Sequence, residues 1–363
     1  MTASARPNGT NGVHGNYPPL GHSSQAWAYP DPHKAAANGT NGTNGQHHRF
    51  CDYGVWREAP VLTGTTKFEP LPDVKNIMIT GAQSHVDLSF GNSYGFTHTN
   101  VYGTHVMLES AKKVGVKRFI HVSTDEVYGE VKEDDDDLLE TSILAPTNPY
   151  AASKAAAEML VNSYMKSFKL PAIIVRSNNV YGPHQFPEKI IPKFTCLLNR
   201  KRPMVLHGDG THTRRYLYAG DAADAFDTIL HKGTLGQIYN VGSYDEVSNL
   251  DLCRLLLKEL RIPNENTQDF NKWVKYTQDR PFNDHRYAVD GTKLRQLGWK
   301  QKTSFAEGLR TTVDWYTRFG EEWWGDITKV LSPFPIVVQA GIVADKEEIC
   351  DEPHSAKKRK ISA

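Results

Sequence analysis

Tyr150 and Lys154 stand four residues apart in "NPYAASKAAAEML". On a helix, positions i and i+4 share a face, so a phenol and an ammonium at that spacing converge. A free tyrosine has a pKa of about 10, and a neighbouring lysine cation is expected to lower it toward the range of a useful base. A second cluster precedes this pair. The apolar run in "FIHVSTDEVYGE" ends in Ser123, Thr124, Asp125 and Glu126. Two adjacent carboxyls push their pKa values apart, so one stays neutral and gives a proton while the other is ionised and takes one. Spacing alone leaves two bland readings open: a solvated Tyr–Lys pair, and acids that merely cap a helix or a turn.

Elements of alternating type must position these groups. "NIMIT" (76–80), "RFIHVS" (118–123) and "PAIIVRS" (171–177) read as short apolar strands. "NVYGTHVMLESAKKVG" (100–115) carries apolar residues at helical spacing and stops at a glycine, and the Ala-rich stretch from 148 to 168 opens with Pro149. Strand and helix in alternation predict an α/β fold with a parallel sheet. In such sheets ligands bind beyond the carboxyl ends of the strands, which is where Thr124 falls. From about Gly182 the pattern predicts short strands and turns with two further helices, 249–260 and 305–319.

Composition bounds the rest. The chain has 363 residues and a formal net charge of +1, so no nucleic-acid partner is expected. No apolar run has the length of a membrane span, and the N-terminus lacks an apolar signal core, so no membrane is expected and the cytoplasm is the expected compartment. The cysteines Cys51, Cys196, Cys253 and Cys350 form no C-x-x-C pair, which suits reduced thiols better than disulfides or a metal site. Residues 1–72 divide into a polar tract with "NGTNG" repeats, expected to be disordered, and a transition from about residue 49. Residues 339–363 form a charged tail whose Lys357–Lys360 cluster reads as a solvated basic end or a nuclear import signal.

Thr124, Tyr150 and Lys154, in this order, resemble the catalytic set of the short-chain dehydrogenases/reductases. "STDEVYG" is more specific and resembles the nucleotide-sugar 4,6-dehydratases of the extended branch. The resemblance covers about 73–335 and includes "SHVDLSFGNS", "RSNNVYGPHQFPEKIIPKF", "HGDGTHTRRYLYAGDAADAF" and "YNVGSYDEVSNLDL". "DRPFNDHRY" and "EEWWGD" look closest to UDP-glucose 4,6-dehydratases; dTDP-glucose enzymes more often have Gly-His where Phe282 and Asn283 stand. UDP-glucose is therefore favoured over dTDP-glucose.

The resemblance implies a reaction and a set of roles. Tyr150 takes the O4 proton as hydride leaves C4 for NAD⁺. Glu126 removes the C5 proton, Asp125 protonates the departing C6 hydroxyl, and hydride returns to C6 to give the 4-keto-6-deoxy sugar. Thr124 bonds O4, and Lys154 also holds the nicotinamide ribose. Gly81, Ala82, Gln83, Ser84, Thr99 and Val180 carry over as cofactor positions beside Tyr150 and Lys154. Ser84, Asn179, Lys189 and Ile190 carry over as substrate positions. Val205, Leu206, His207 and Asn249 carry over to the nucleobase. Arg214 and Arg280 carry over as diphosphate clamps, since guanidinium meets phosphate bidentately; the bland reading of each is a surface ion pair. The implied architecture is a Rossmann-like sheet (73–184) interleaved with a smaller mixed α/β substrate-binding domain (185–338). A homodimer through helices 100–114 and 150–168 is also implied.

One part of the pattern is missing. A Rossmann start reads strand, glycine-rich turn, helix. Here "KNIMITG" supplies a strand and one glycine and then passes to "AQSHVDLSFGNS", which in the family follows the fourth strand. Roughly 70 residues, about two βα units and a strand, are absent between them. The truncated sheet predicts that Ile77–Thr80 shifts into the fourth slot and pairs in parallel with 119–123. The clean join at Gly81–Ala82 points to a deleted exon or a mistaken gene model; an uninterrupted transcript across Thr80–Ser84 would remove the second explanation. Two other functions stay open: a catalytically impaired sugar-nucleotide-binding protein, and a 4-epimerase, which shares Thr, Tyr and Lys but has no need of Asp125 and Glu126.

Overall fold

The computed structural model describes residues 77–80, 82–264, 266–328 and 330–332. Both terminal tails, the transition before Ile77, and Gly81 lie outside the described residues. In chain order the strands are β1 (Ile77–Thr80), β2 (Arg118–Thr124), β3 (Ala172–Ser177), β4 (Asn179–Tyr181), β5 (Met204–His207), β6 (Thr213–Tyr218), β7 (Ile238–Val241), β8 (Glu246–Ser248) and β9 (Val274–Thr277).

The main sheet is parallel throughout, in the order β1-β2-β3-β7. Its strands β2 and β3 are covered on both faces, which is why they read as continuous hydrophobic runs. Phe119 and Ile174 pack with Leu108, Ala111, Val161 and Tyr164 from the helices Gly103–Val114 and Pro149–Phe168. Their sequence neighbours Ile120, Ile173 and Val175 point the other way, onto Ala222, Ala225 and Ile229 of the helix Ala219–Lys232. The period-2 alternation of a strand thus divides one apolar run between two layers.

β1 lies at the sheet edge and pairs in parallel with β2, as expected, with Ile77 opposite Arg118 through Thr80 opposite His121, so that the pairing starts one residue before the expected 119–123. Among the described residues no strand lies beyond it. The second lobe combines β4-β6-β8, the parallel pair β5-β9 and the helices Ile190–Asn199, Asn249–Glu259 and Phe305–Trp324 around a core rich in Tyr, Leu and Trp. β7 returns to the main sheet from within this later sequence, so the two parts are interleaved.

Helix content after Gly182 exceeds the two helices expected. Ile190–Asn199, Ala219–Lys232, Thr267–Trp273 and Thr292–Gln296 are also helical. Ile190–Asn199 buries most of its residues, and Pro192 sits in its first turn, where proline costs no helical bond. Ala219–Lys232 follows β6 directly, with no side chain capping its start. The helix expected from Asn100 becomes regular α only at Gly103. A π segment, Thr97–Tyr102, precedes it and carries the buried Asn100.

Candidate active site

β2 delivers the hydroxyl and the two acids. At its end Thr124 accepts a hydrogen bond from the Glu126 backbone N–H (3.3 Å) and so caps a 3-10 turn, Asp125–Tyr128. The turn folds both carboxyls inward, where Asp125 is 3% and Glu126 8% exposed. A solvated cap is therefore excluded. The Pro149–Phe168 helix supplies Tyr150 in its first turn and Lys154 one turn later, both buried. Its cap is Asn148, whose Oδ1 accepts from the Ala151 N–H (2.9 Å) and whose Nδ2 donates to Glu126 Oε2 (3.4 Å). One residue thus fixes the helix start and one acid.

Burial splits the titrations. The Asp125 carboxyl is pushed up to about 7 by desolvation first and then by the charge of Glu126. Glu126 is also raised by desolvation, but Arg214 and Lys189 pull it back. Both acids keep hydrogen-bonding partners. Asp125 Oδ1 accepts from Thr124 (3.1 Å) and Oδ2 from Asn178 Nδ2 (2.6 Å). Glu126 Oε2 also accepts from Tyr287 (3.4 Å), whose ring lies 4.7 Å from the Arg214 guanidinium.

The expected lowering of Tyr150 does not occur in this state. Burial, and then the charges of Glu126 and Asp125, raise its phenol well above the ordinary tyrosine range, opposed by a hydrogen bond with Thr124. Lys154 instead donates to the Val122 carbonyl (2.5 Å), and burial lowers its ammonium to about 8 against the pull of Glu158. Full desolvation beside two acids outweighs one lysine that is turned toward the strand.

A cleft of about 370 Å³ opens beside these groups. Thr124, Glu126 and Tyr150 line it. So do all the candidate substrate positions: Ser84, Asn179, Lys189, Ile190, Val205, Leu206, His207, Arg214, Asn249 and Arg280. Val180 joins them from the cofactor set. Asp125 contacts the lining residue Thr124, and neither Asp125 nor Lys154 itself lines the cleft. Ala82, Gln83 and Thr99 sit outside it. Gln83 donates to Thr99 Oγ1 (3.2 Å) and exchanges backbone hydrogen bonds with the buried Asn100, which in turn donates to Ser153 (2.9 Å). Gln83 and Thr99 are exposed.

The two arginines differ. Arg214 donates to the carbonyls of Thr213 and His285 and to Asn283 Oδ1. Arg280 faces Asp87 bidentately, through Nε (2.5 Å) and a terminal nitrogen (3.0 Å). Neither is a solvated surface pair. Lys189 donates to the Ser84 carbonyl, tying the segment after β1 to the second lobe. Sequence reading missed Asp87, Asn148, Asn178 and Tyr287. Each stood inside a quoted motif next to a named residue, but nothing in its type distinguished it before the fold turned it toward the acids or the arginines.

No group of His, Cys, Asp or Glu fit to hold a metal occurs among the described residues, and none of their helices is long and apolar enough to cross a membrane.

Comparison with known proteins agrees with this geometry. Residues 72–312 match the family model described as GDP-mannose 4,6 dehydratase. A trifunctional UDP-glucose 4,6-dehydratase/UDP-4-keto-6-deoxy-D-glucose 3,5-epimerase/UDP-4-keto-L-rhamnose-reductase of Arabidopsis thaliana is 49% identical over 277 residues, 75% of this chain and 40% of that protein. The chain therefore spans well under half the length of that plant relative. The dTDP-D-glucose 4,6-dehydratase of Homo sapiens is 48% identical over 255 residues, 70% of this chain and 72% of that protein. Among solved structures, a dTDP-glucose 4,6-dehydratase from Streptomyces venezuelae with NAD bound superposes with a TM-score of 0.65 at 38% identity, covering 69% of this chain and 75% of that one. With a Thr-Asp-Glu strand end, a Tyr/Lys helix and a match over most of the described residues, the chain belongs to the GDP-mannose 4,6 dehydratase family, on its nucleotide-sugar 4,6-dehydratase side.

Proposed function

We propose that this chain removes water across C5–C6 of a nucleoside-diphosphate glucose, UDP-glucose in preference to dTDP-glucose, forming the 4-keto-6-deoxy sugar. The observation that carries this reading is the buried Asp125–Glu126 pair, with Glu126 lining a cleft that every candidate substrate residue also lines. An epimerase would have no use for that pair. Glu126, ionised, takes the C5 proton. The C5–H electron pair becomes the C5–C6 double bond, the C6–O bond breaks, and Asp125 gives its proton to the departing hydroxyl, which leaves as water. Thr124 and Tyr150 hold O4. Arg214 and Arg280 receive the diphosphate. Val205, Leu206, His207 and Asn249 face the base.

NAD, when bound, supplies the temporary hydride acceptor for C4 and the donor to C6. The described residues fit its nicotinamide end: Tyr150, Lys154 and Val180 cluster at the carboxyl ends of β2 and β3. They do not fit its adenosine end. No glycine-rich turn follows β1 in the sequence, and the described sheet stops at β1. Tyr150, a neutral phenol in this state, needs added positive charge to act as a base, and Lys154, one turn later on the same helix, is the candidate source. A second reading rests on the truncated sheet: a protein that binds the sugar nucleotide without turning it over. A homodimer is supported by apolar side chains exposed on the candidate helices, among them Val106 and Met159.

Incubation with UDP-glucose or dTDP-glucose and NAD⁺, followed for the 4-keto product, tests the proposal. Product with UDP-glucose is expected. UDP binding without product from either sugar would favour the second reading.

A further inference from the structure

Asn178 stands between the backbone and Asp125, and its amide has no freedom of orientation. Its Oδ1 accepts from the Ser243 backbone N–H (2.8 Å), and its Nδ2 donates to Asp125 Oδ2 (2.6 Å). A backbone N–H can only donate, so the oxygen of the amide must face Ser243 and the nitrogen must face Asp125. Asn178, Ser243 and Asp125 are all buried, at 3%, 1% and 3% exposure. The Asn178 backbone is also pinned, its N–H donating to the Val241 carbonyl (3.2 Å). Asp125 Oδ2 is therefore held as an acceptor.

The other oxygen, Oδ1, lies 3.1 Å from the Thr124 hydroxyl. A hydroxyl both donates and accepts, so this contact survives whether Asp125 is ionised or neutral, with only its direction reversed. The contact to Asn178 does not have that property: Nδ2 can only donate, and an oxygen that carries the proton is the poorer acceptor, so the contact is strongest with Oδ2 unprotonated.

We infer that Asn178 is a positioning residue that denies the acid's proton to Asp125 Oδ2 and places it on Oδ1, between Thr124 and Asp125. This rests on the reading of Asp125 as the acid of the dehydration. In the neutral acid, Oδ1–H donates to Thr124 Oγ1, and the Thr124 hydroxyl proton is turned away from Asp125. Other groups that act on Asp125 are Glu126, next to it on the same turn, and Arg214 from β6, with Tyr150 coupled to it from the Pro149–Phe168 helix. Glu126 raises its titration, while Arg214, Thr124 and Asn178 lower it. Asn178 thus has a second effect: its donor keeps the acid from climbing out of the neutral range, where it could no longer be re-formed and spent in each cycle.

The test is a pH titration of the protonated-carboxyl band by difference infrared spectroscopy on the full chain, with Asp125→Asn identifying the signal. In the unaltered protein the band is expected to titrate near neutrality. Asn178→Leu removes the donor and is expected to move that midpoint up by a unit or more, a tenfold change in the proton equilibrium, with UDP binding retained. Should Asn178→Leu fail to fold, Asn178→Ala removes the amide donor with less steric demand and is expected to shift the midpoint in the same direction. A midpoint near neutrality that neither variant raises overturns this inference and leaves Asp125 as the acid. A midpoint in the ordinary carboxylate range in the unaltered protein overturns both.

Discussion

The two sides of the cleft are unequally built. On the substrate side, residues from β4, β5, β6 and the loop after β9 converge on one space, with two arginines and a lysine held by named partners. On the cofactor side, the catalytic helix and strand ends are intact, but the sheet ends at β1 and its outer edge has no partner strand among the described residues. The contrast shows that the acid–base site does not depend on the far strands of the sheet. Thr124, Asp125, Glu126, Tyr150 and Lys154 are fixed by β2, its terminal turn and one helix, and β2 needs only a neighbour on each side. β1 and β3 meet that need. A dinucleotide's far half, by contrast, needs a turn and strands that nothing here replaces.

Four outcomes would break or sharpen that contrast. Glu126→Gln should lower formation of the 4-keto product by about 10²–10⁴-fold, the scale of a lost general base, and should stop exchange of the C5 hydrogen with deuterated solvent. Persistent exchange in the variant would move the base to another residue. NAD⁺ affinity, measured by calorimetry beside that of UDP, should be weaker on the order of 10³-fold, as expected when two charge-assisted hydrogen bonds to a pyrophosphate are missing. Equal affinities would show that the cofactor side is complete after all.

Arg214→Ala and Arg280→Ala should each weaken UDP binding by about 1.5–3 kcal/mol. The Asp87 pair makes Arg280 the sharper case, because the substrate must share or displace that carboxylate. Unchanged UDP affinity in both variants would refute the clamps. The smallest expected effect concerns stability. Burial and Glu126 raise Asp125 to about 7 in the folded chain. The unfolded value is about 3.9, so between these values the folded state holds a proton that the unfolded state has lost, and stability falls as pH rises through that window. Asp125→Asn removes this penalty. Its unfolding free energy from denaturant titration should exceed that of the unaltered protein by about 2 kcal/mol at about pH 5.5, with the gain vanishing below about pH 4. An equal gain at both pH values would mean that Asp125 carries no raised pKa.

Strands β1 to β3 and the helices Gly103–Val114 and Pro149–Phe168 were legible because their signals are local. The apolar runs at 118–123 and 171–177, the Gly115 stop, and Pro149 after Asn148 each declare an element within a few residues. Even the position of β1 followed from chain length. A single residue spans about 3.3–3.6 Å and neighbouring strands lie about 4.8 Å apart, so Gly81 leaves Ile77–Thr80 little choice but the slot beside β2. The helices Ile190–Asn199 and Ala219–Lys232 were not legible, since one is buried nearly all round and the other starts without a capping side chain.

For the site, residue types pointed to the hydroxyl, the two acids and the Tyr/Lys pair, and the family resemblance carried by contiguous motifs named the cleft-lining set. The state of those groups was decided only by tertiary structure. Asp125 is neutral-leaning and Tyr150 stays protonated because the fold removes both from water beside Glu126. Lys154 turns to the Val122 carbonyl, Arg280 meets Asp87 across the cleft, and Asn178 is locked by Ser243. Desolvation and long-range hydrogen bonds depend on what the chain brings together from distant positions, and no local pattern encodes that.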